Sequence, residues 1–80
     1  MTADFIIAEL QSVGTPAKAA HLQRFFKTGP GQYGEGDVFI GVVVPHIGSI
    51  AKANLGTPVS ELHRLLRSDY HEARLCALLI

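Results

Sequence analysis

The sequence predicts an all-α protein assembled from helix pairs, and three observations carry that expectation. Apolar residues recur at helical spacing in successive segments. Two Gly-Thr-Pro triplets, Gly14–Pro16 and Gly56–Pro58, mark helix–helix corners: glycine suits the end of one helix, threonine the N-cap of the next, and proline its first turn. From Leu75 onward the residues are apolar all the way round, the mark of a helix enclosed by other helices. The corners lie 42 positions apart, the length of a two-helix HEAT-type unit. The expected architecture is therefore an α-α superhelix of HEAT-like repeats, with about five helices and one long glycine-rich loop.

The elements follow in order. Phe5, Ile6, Leu10 and Val13 form the apolar stripe of a first helix, with Asp4 near its positive end. Ala19, Leu22, Phe25 and Phe26 give a second helix that stops near Thr28-Gly29. Pro45 starts a third, with Ile47, Ile50 and Ala51 inward and Gly56 at its end. Val59, Leu62, Leu65 and Leu66 have the spacing of a buried face on a fourth. Ser68-Asp69 supplies a cap, and a fifth helix begins around Tyr70. That helix reaches Ile80 with no capping glycine or basic last turn, so residues 1–80 are expected to be the N-terminal part of a single helical-repeat domain, cut within helix 5. Leu75, Cys76, Leu78, Leu79 and Ile80 would then lie exposed, and a homodimer through the C-terminal helix is expected to cover them.

Between helices 2 and 3 lies TGPGQYGEGDVFIGVVVP, residues 28–45, with five of the chain's eight glycines. Gly29, Gly31 and Gly34 spell G-x-G-x-x-G, but a dinucleotide site needs a strand before the glycines and a helix after them. Here the order is inverted, and the stretch reads as an ordered connection whose glycines supply turns. A connection of this length raises the prospect of a role in binding.

Composition narrows the function classes. Seven basic and seven acidic side chains balance, so nucleic-acid binding would need a local patch. The lone Cys76 cannot form an internal disulfide, which fits a reducing, cytoplasmic setting. The longest apolar run, LCALLI, has six residues against the roughly 20 of a membrane span. Four histidines and Cys76 show no paired-ligand spacing, and neither a metal nor another cofactor is expected. Arg24 and Lys27 lie one turn apart at the end of helix 2, where cations either complement the helix dipole or reach a phosphate. Phe25 between them either packs beside Phe26 or meets DNA. Glu35 and Asp37 read as capping or solvated carboxylates. Arg64, Arg67 and His63 share a solvated face.

The segments HLQRFFKTGPGQYGEGDVFIGVVVP (residues 21–45) and SELHRLLRSDYHEARLCALLI (residues 60–80) resemble the DNA alkylation repair family, the AlkD-like DNA glycosylases. Tyr33–Val42, YGEGDVFIGV, is the most specific string. Where many relatives have Arg-Val-Pro, this chain has Val43-Val44-Pro45. The resemblance implies a HEAT-like superhelix with a basic concave face that cradles duplex DNA, and excision of alkylated purines substituted at N3 or N7. It places Arg24, Phe25 and Lys27 at the DNA, and Val38–Val44 along the inner helices without sheet pairing. The tryptophans and aspartate of the family's cleft lie downstream of Ile80; with no tryptophan here, no catalytic residue is assigned. The alternative is a non-catalytic helical-repeat module that binds DNA or protein.

Overall fold

The computed structural model describes residues 1–26, 31 and 36–80. The fold is all-α, with five helices: α1 (Ala3–Val13), α2 (Pro16–Phe25), α3 (Val44–Ala53), α4 (Val59–Leu66) and α5 (His71–Leu79). Among the described residues no strand forms. Residues 37–43 form an irregular connection, with one isolated parallel bridge between Val38 and Tyr70.

Helix α1 starts as its sequence dictates: the Thr2 hydroxyl accepts the Phe5 N–H at 3.1 Å, and Asp4 sits in the first turn. It buries Ala3, Ile6 and Leu10, while Phe5 turns outward and is 55% exposed, so the stripe is narrower than expected. The first corner also carries its expected cap, with Thr15 Oγ1 accepting the Lys18 N–H at 3.2 Å and Pro16 in the first turn of α2. Gly14 serves a different purpose from the one expected. Its φ of −74° is open to any residue, but a Cβ there would stand 2.6 Å from the Ile40 carbonyl oxygen, so close approach of two backbones requires the glycine.

The second triplet departs from the first. Helix α3 buries Ile47, Ile50 and Ala51 but ends at Ala53, before Gly56, because Asn54 folds back on it. Asn54 Nδ2 donates to the Ile50 carbonyl at 2.8 Å and to Glu9 Oε1 at 3.2 Å, while the buried Thr57 hydroxyl donates to the Asn54 carbonyl at 2.6 Å. Thr57 is thus turned toward α3, and α4 begins after Pro58 without a side-chain cap. On α4 only Leu65 is fully buried. Leu62 is half-buried, and Val59 and Leu66 are 66% and 41% exposed, against the expectation of a four-residue inner face.

Helix α5 packs against α1, α3 and α4 and holds the centre of the core. Glu72, Ala73, Cys76 and Ala77 are buried within the same chain, which corrects the expected exposure of Cys76; Leu78 and Leu79 remain exposed. Its start is capped from elsewhere than Ser68-Asp69. The Ser68 hydroxyl accepts the Tyr70 N–H, but the Val38 carbonyl accepts the His71 N–H at 2.8 Å. Ile6, Leu10, Val42, Ile47, Ile50, Leu65, Ala73 and Cys76 form one cluster.

Helix α2 stands apart. It has no buried residue, and among the described residues no other helix lies against it. Its support among the described residues is the segment that precedes α3 and, through Phe26, the His71 ring of α5.

Candidate nucleic-acid interface

Of the expected DNA-contacting residues, Arg24 and Phe25 fall in the last turn of α2. Arg24 is exposed in the last turn, where a cation complements the helix dipole. Phe25 is 71% exposed, so it is not the core residue that its apolar neighbours suggested. Phe26, 39% exposed, is the less open of the two, stacking on Phe39 with ring centroids 5.2 Å apart, and Phe25 meets Phe26 edge-on at 5.2 Å. The structure therefore brings Arg24 and an open aromatic face together. Lys27 lies outside the described residues, as do Gly29, Gly34 and Glu35.

The segment behind this edge is held by three side chains of α5, His71, Glu72 and Arg74, to which the sequence reading gave no such role. Asp37 accepts from His71 Nδ1 at 2.8 Å on one carboxylate oxygen and from the Arg74 guanidinium on the other. Arg74 also donates to the Ser68 carbonyl at 2.8 Å, tying the α4–α5 corner into the same cluster. The His71 ring stacks on Phe39 at 4.5 Å. Burial alone would push the Asp37 carboxyl up, but the hydrogen bonds and positive charge of Arg74 and His71 outweigh it and hold the group below the usual aspartate range.

Glu72 does the remaining bonding. Its carboxylate is 1% exposed and accepts three consecutive backbone N–H groups: Ile40 at 2.9 Å on Oε1, then Gly41 at 2.8 Å and Val42 at 3.1 Å on Oε2. An irregular run without a sheet partner must find acceptors for its amides, and a buried carboxylate must find donors. Each meets the other's need. The signal was available in the spacing Glu72, Ala73, Cys76, Ala77, which puts an acid on the buried face of α5.

Gly41 makes the turn possible. Its φ is +96°, a left-handed conformation that favours glycine, and a Cβ there would lie 2.2 Å from the Thr15 carbonyl oxygen and 2.8 Å from the Ala19 nitrogen. The Gly41 carbonyl accepts the Thr15 N–H at 3.3 Å, so the first turn of α2 rests directly on the segment.

Other charged groups are more dispersed. Arg64 is shared between Glu61 at 3.2 Å and Asp4 at 3.6 Å. With Arg67 and Asp69 it borders an open cleft of about 430 Å³ of balanced charge. A smaller apolar cleft of about 170 Å³ lies between Leu22, Phe26, Val44 and Leu75. Among the described residues no three His, Cys, Asp or Glu side chains gather as a metal site, and no helix is long and apolar enough to cross a membrane.

An all-helical scaffold that presents an exposed Arg24–Phe25 edge over a bonded-down glycine-containing segment is the class that this geometry defines. Residues 6–80 match the family model described as DNA alkylation repair enzyme, and the chain belongs to that family. The family places it in DNA repair. No curated protein and no solved structure matches the chain.

Proposed function

We propose that these residues form the DNA-gripping N-terminal portion of a glycosylase that excises N3- and N7-alkylated purines from duplex DNA. The observation that supports this reading is the exposure of Phe25 beside Arg24 in a chain of the DNA alkylation repair family. Arg24, with Lys27 three residues later in the sequence, would contact phosphate, and Phe25 would lie against the duplex. Alkylation at N3 or N7 makes the purine cationic and weakens its glycosidic bond, so hydrolysis chiefly needs a carboxylate to stabilise the developing oxocarbenium ion or to orient water. The carboxylates of Asp37 and Glu72 are already engaged in holding the fold. With no tryptophan in the chain to build the family's carboxylate–aromatic cleft, we read these 80 residues as supplying grip and not bond cleavage. The same engagement favours, as the alternative, a non-catalytic helical-repeat module that binds DNA or protein.

The test is equilibrium binding to methylated and unmodified duplex across a range of salt. Replacing both Arg24 and Lys27 by Ala should flatten the dependence of log affinity on log salt by about one unit per lost contact. An unchanged slope returns both cations to a purely helix-capping role. Release of 7-methylguanine from methylated duplex above a no-protein control would move the catalytic step into these residues and overturn the division of labour.

The same reading takes the helices as HEAT-like, the setting as cytoplasmic, and a second copy of the chain as a partner through Leu78 and Leu79, which α5 leaves exposed.

A further inference from the structure

Helix α2 carries the Arg24–Phe25 edge, yet among the described residues it touches no other helix. Among the described residues its links include the chain itself at Gly14, the Thr15–Gly41 contact, Phe26 on Phe39, and Phe26 on the His71 ring of α5 at 5.1 Å. The Thr15 and Phe39 contacts both end on segment 39–42, and that segment is bonded to the core by the Glu72 carboxylate through Ile40, Gly41 and Val42. The orientation of the edge is therefore decided at α5, on the opposite side of the segment. We propose that Glu72 is a positioning residue for nucleic-acid contact, fixing through the backbone of Ile40–Val42 where α2 presents Arg24 and Phe25. The proposal rests on the DNA reading above for its functional consequence but not for its structural one.

The geometry explains why a carboxylate is needed. Three donors converge on two oxygens, one taking Ile40 and the other Gly41 and Val42. A carboxamide offers one oxygen, and its NH2 would face at least one of these N–H groups donor to donor. Glu72→Gln keeps size and shape while loosening one side of the grip, so α2 should lose its fixed placement and the core should not lose its packing.

Two measurements test this separately. In the first, spin labels on cysteines introduced at the exposed positions Ala20 in α2 and His63 in α4 report the α2–α4 distance, and labels at Ser12 and His63 report α1–α4; the native Cys76 is buried and out of reach. Glu72→Gln should broaden the α2–α4 distribution and leave the α1–α4 distribution sharp. Should that variant lose its helical circular dichroism, Gly41→Ala with the same labels breaks the α2 end of the link while keeping the Glu72 carboxylate itself. An unchanged α2–α4 distribution, or unfolding of both variants, overturns the proposal. In the second measurement, Arg24→Ala should lower the salt slope of DNA binding by about one in the wild-type background and leave it unchanged in the Glu72→Gln background. Equal losses in both backgrounds overturn the positioning role. If Arg24→Ala is silent in the wild type, the DNA reading of Arg24 fails, and the distance measurement alone decides the role of Glu72.

Discussion

Gly41 donates its N–H to the Glu72 carboxylate at 2.8 Å while its carbonyl accepts the N–H of Thr15, so one residue is bonded at once to α5 and to the start of α2. At φ +96° and 2.2 Å from the Thr15 oxygen, a methyl group would face both backbone strain and a clash with backbone that cannot swing away. Gly41→Ala should destabilise the fold by at least about 1–3 kcal/mol. Urea denaturation followed by circular dichroism checks this; a loss under half a kcal/mol would show that the segment can shift freely.

The Asp37 cluster predicts an acid limb. A carboxyl held below its unfolded value near 3.8 contributes stability that is fully present above that value and is lost as pH falls through the folded-state value. Asp37→Asn should cost about 1–3 kcal/mol at pH 7, and the variant's urea midpoint should fall less steeply than the wild type's below about pH 4. Parallel acid limbs in the two proteins would show that other carboxylates set the response.

Leu65 and Leu66 are neighbours that the apolar pattern treats alike, yet Leu65 is fully buried and Leu66 is 41% exposed. Leu65→Ala should lose about 2–5 kcal/mol, and Leu66→Ala should stay within about 1 kcal/mol of the wild type. Thermal melts of the pair decide it, since about 1 kcal/mol moves the midpoint of so small a domain by roughly 4–8 °C.

Cys76 is fully buried, and burial, with the nearby charge of Glu9 adding to it, pushes its thiol above the ordinary cysteine value. The thiolate is the nucleophile, so at pH 7.5 the folded protein should react with a thiol-directed disulfide reagent only as fast as it opens. A control in denaturant should label at once. Equal rates in the two samples would place Cys76 at the surface.

Leu78 and Leu79 stay open to solvent at the end of α5. Pairing with a second copy would cover them, and burying each such side chain is worth roughly 1.5–3 kcal/mol. Light scattering at tens of micromolar should return a dimer mass that Leu79→Lys halves without loss of helicity. A monomer mass for the wild type defeats this reading.

What the sequence disclosed and what it hid divide along a physical line. Helix number, the Thr15 cap and the inward face of α3 are local, governed by periodicity and capping over a few residues, and they could be read directly. The exposure of Phe25 and Leu66 could not, because a hydrophobic residue near a helix end is inward or outward according to what packs beside it, and among the described residues no other helix packs along α2. The second Gly-Thr-Pro corner misled for a related reason. Thr57 can cap α4 or bond back to Asn54, and the choice was made by Asn54, whose bonds to Ile50 and Glu9 bury it between α3 and α1. The grip of Glu72 on Ile40–Val42 spans about 30 positions, a pairing no local pattern encodes.

The isolation of α2 also bears on how the protein breathes. A helix of ten residues is marginal in water by itself, being shorter than the roughly 12–15 at which isolated helices begin to persist. Its hydrogen bonds therefore depend on its seat against Gly41 and Phe39, and leaving that seat and melting are one event. Amides of α2 should open by a sub-global step far easier than global unfolding, while those of α1, α3 and α5 exchange only when the core does. The chain then has two cooperative units of unequal strength, and the weaker one carries the Arg24–Phe25 edge.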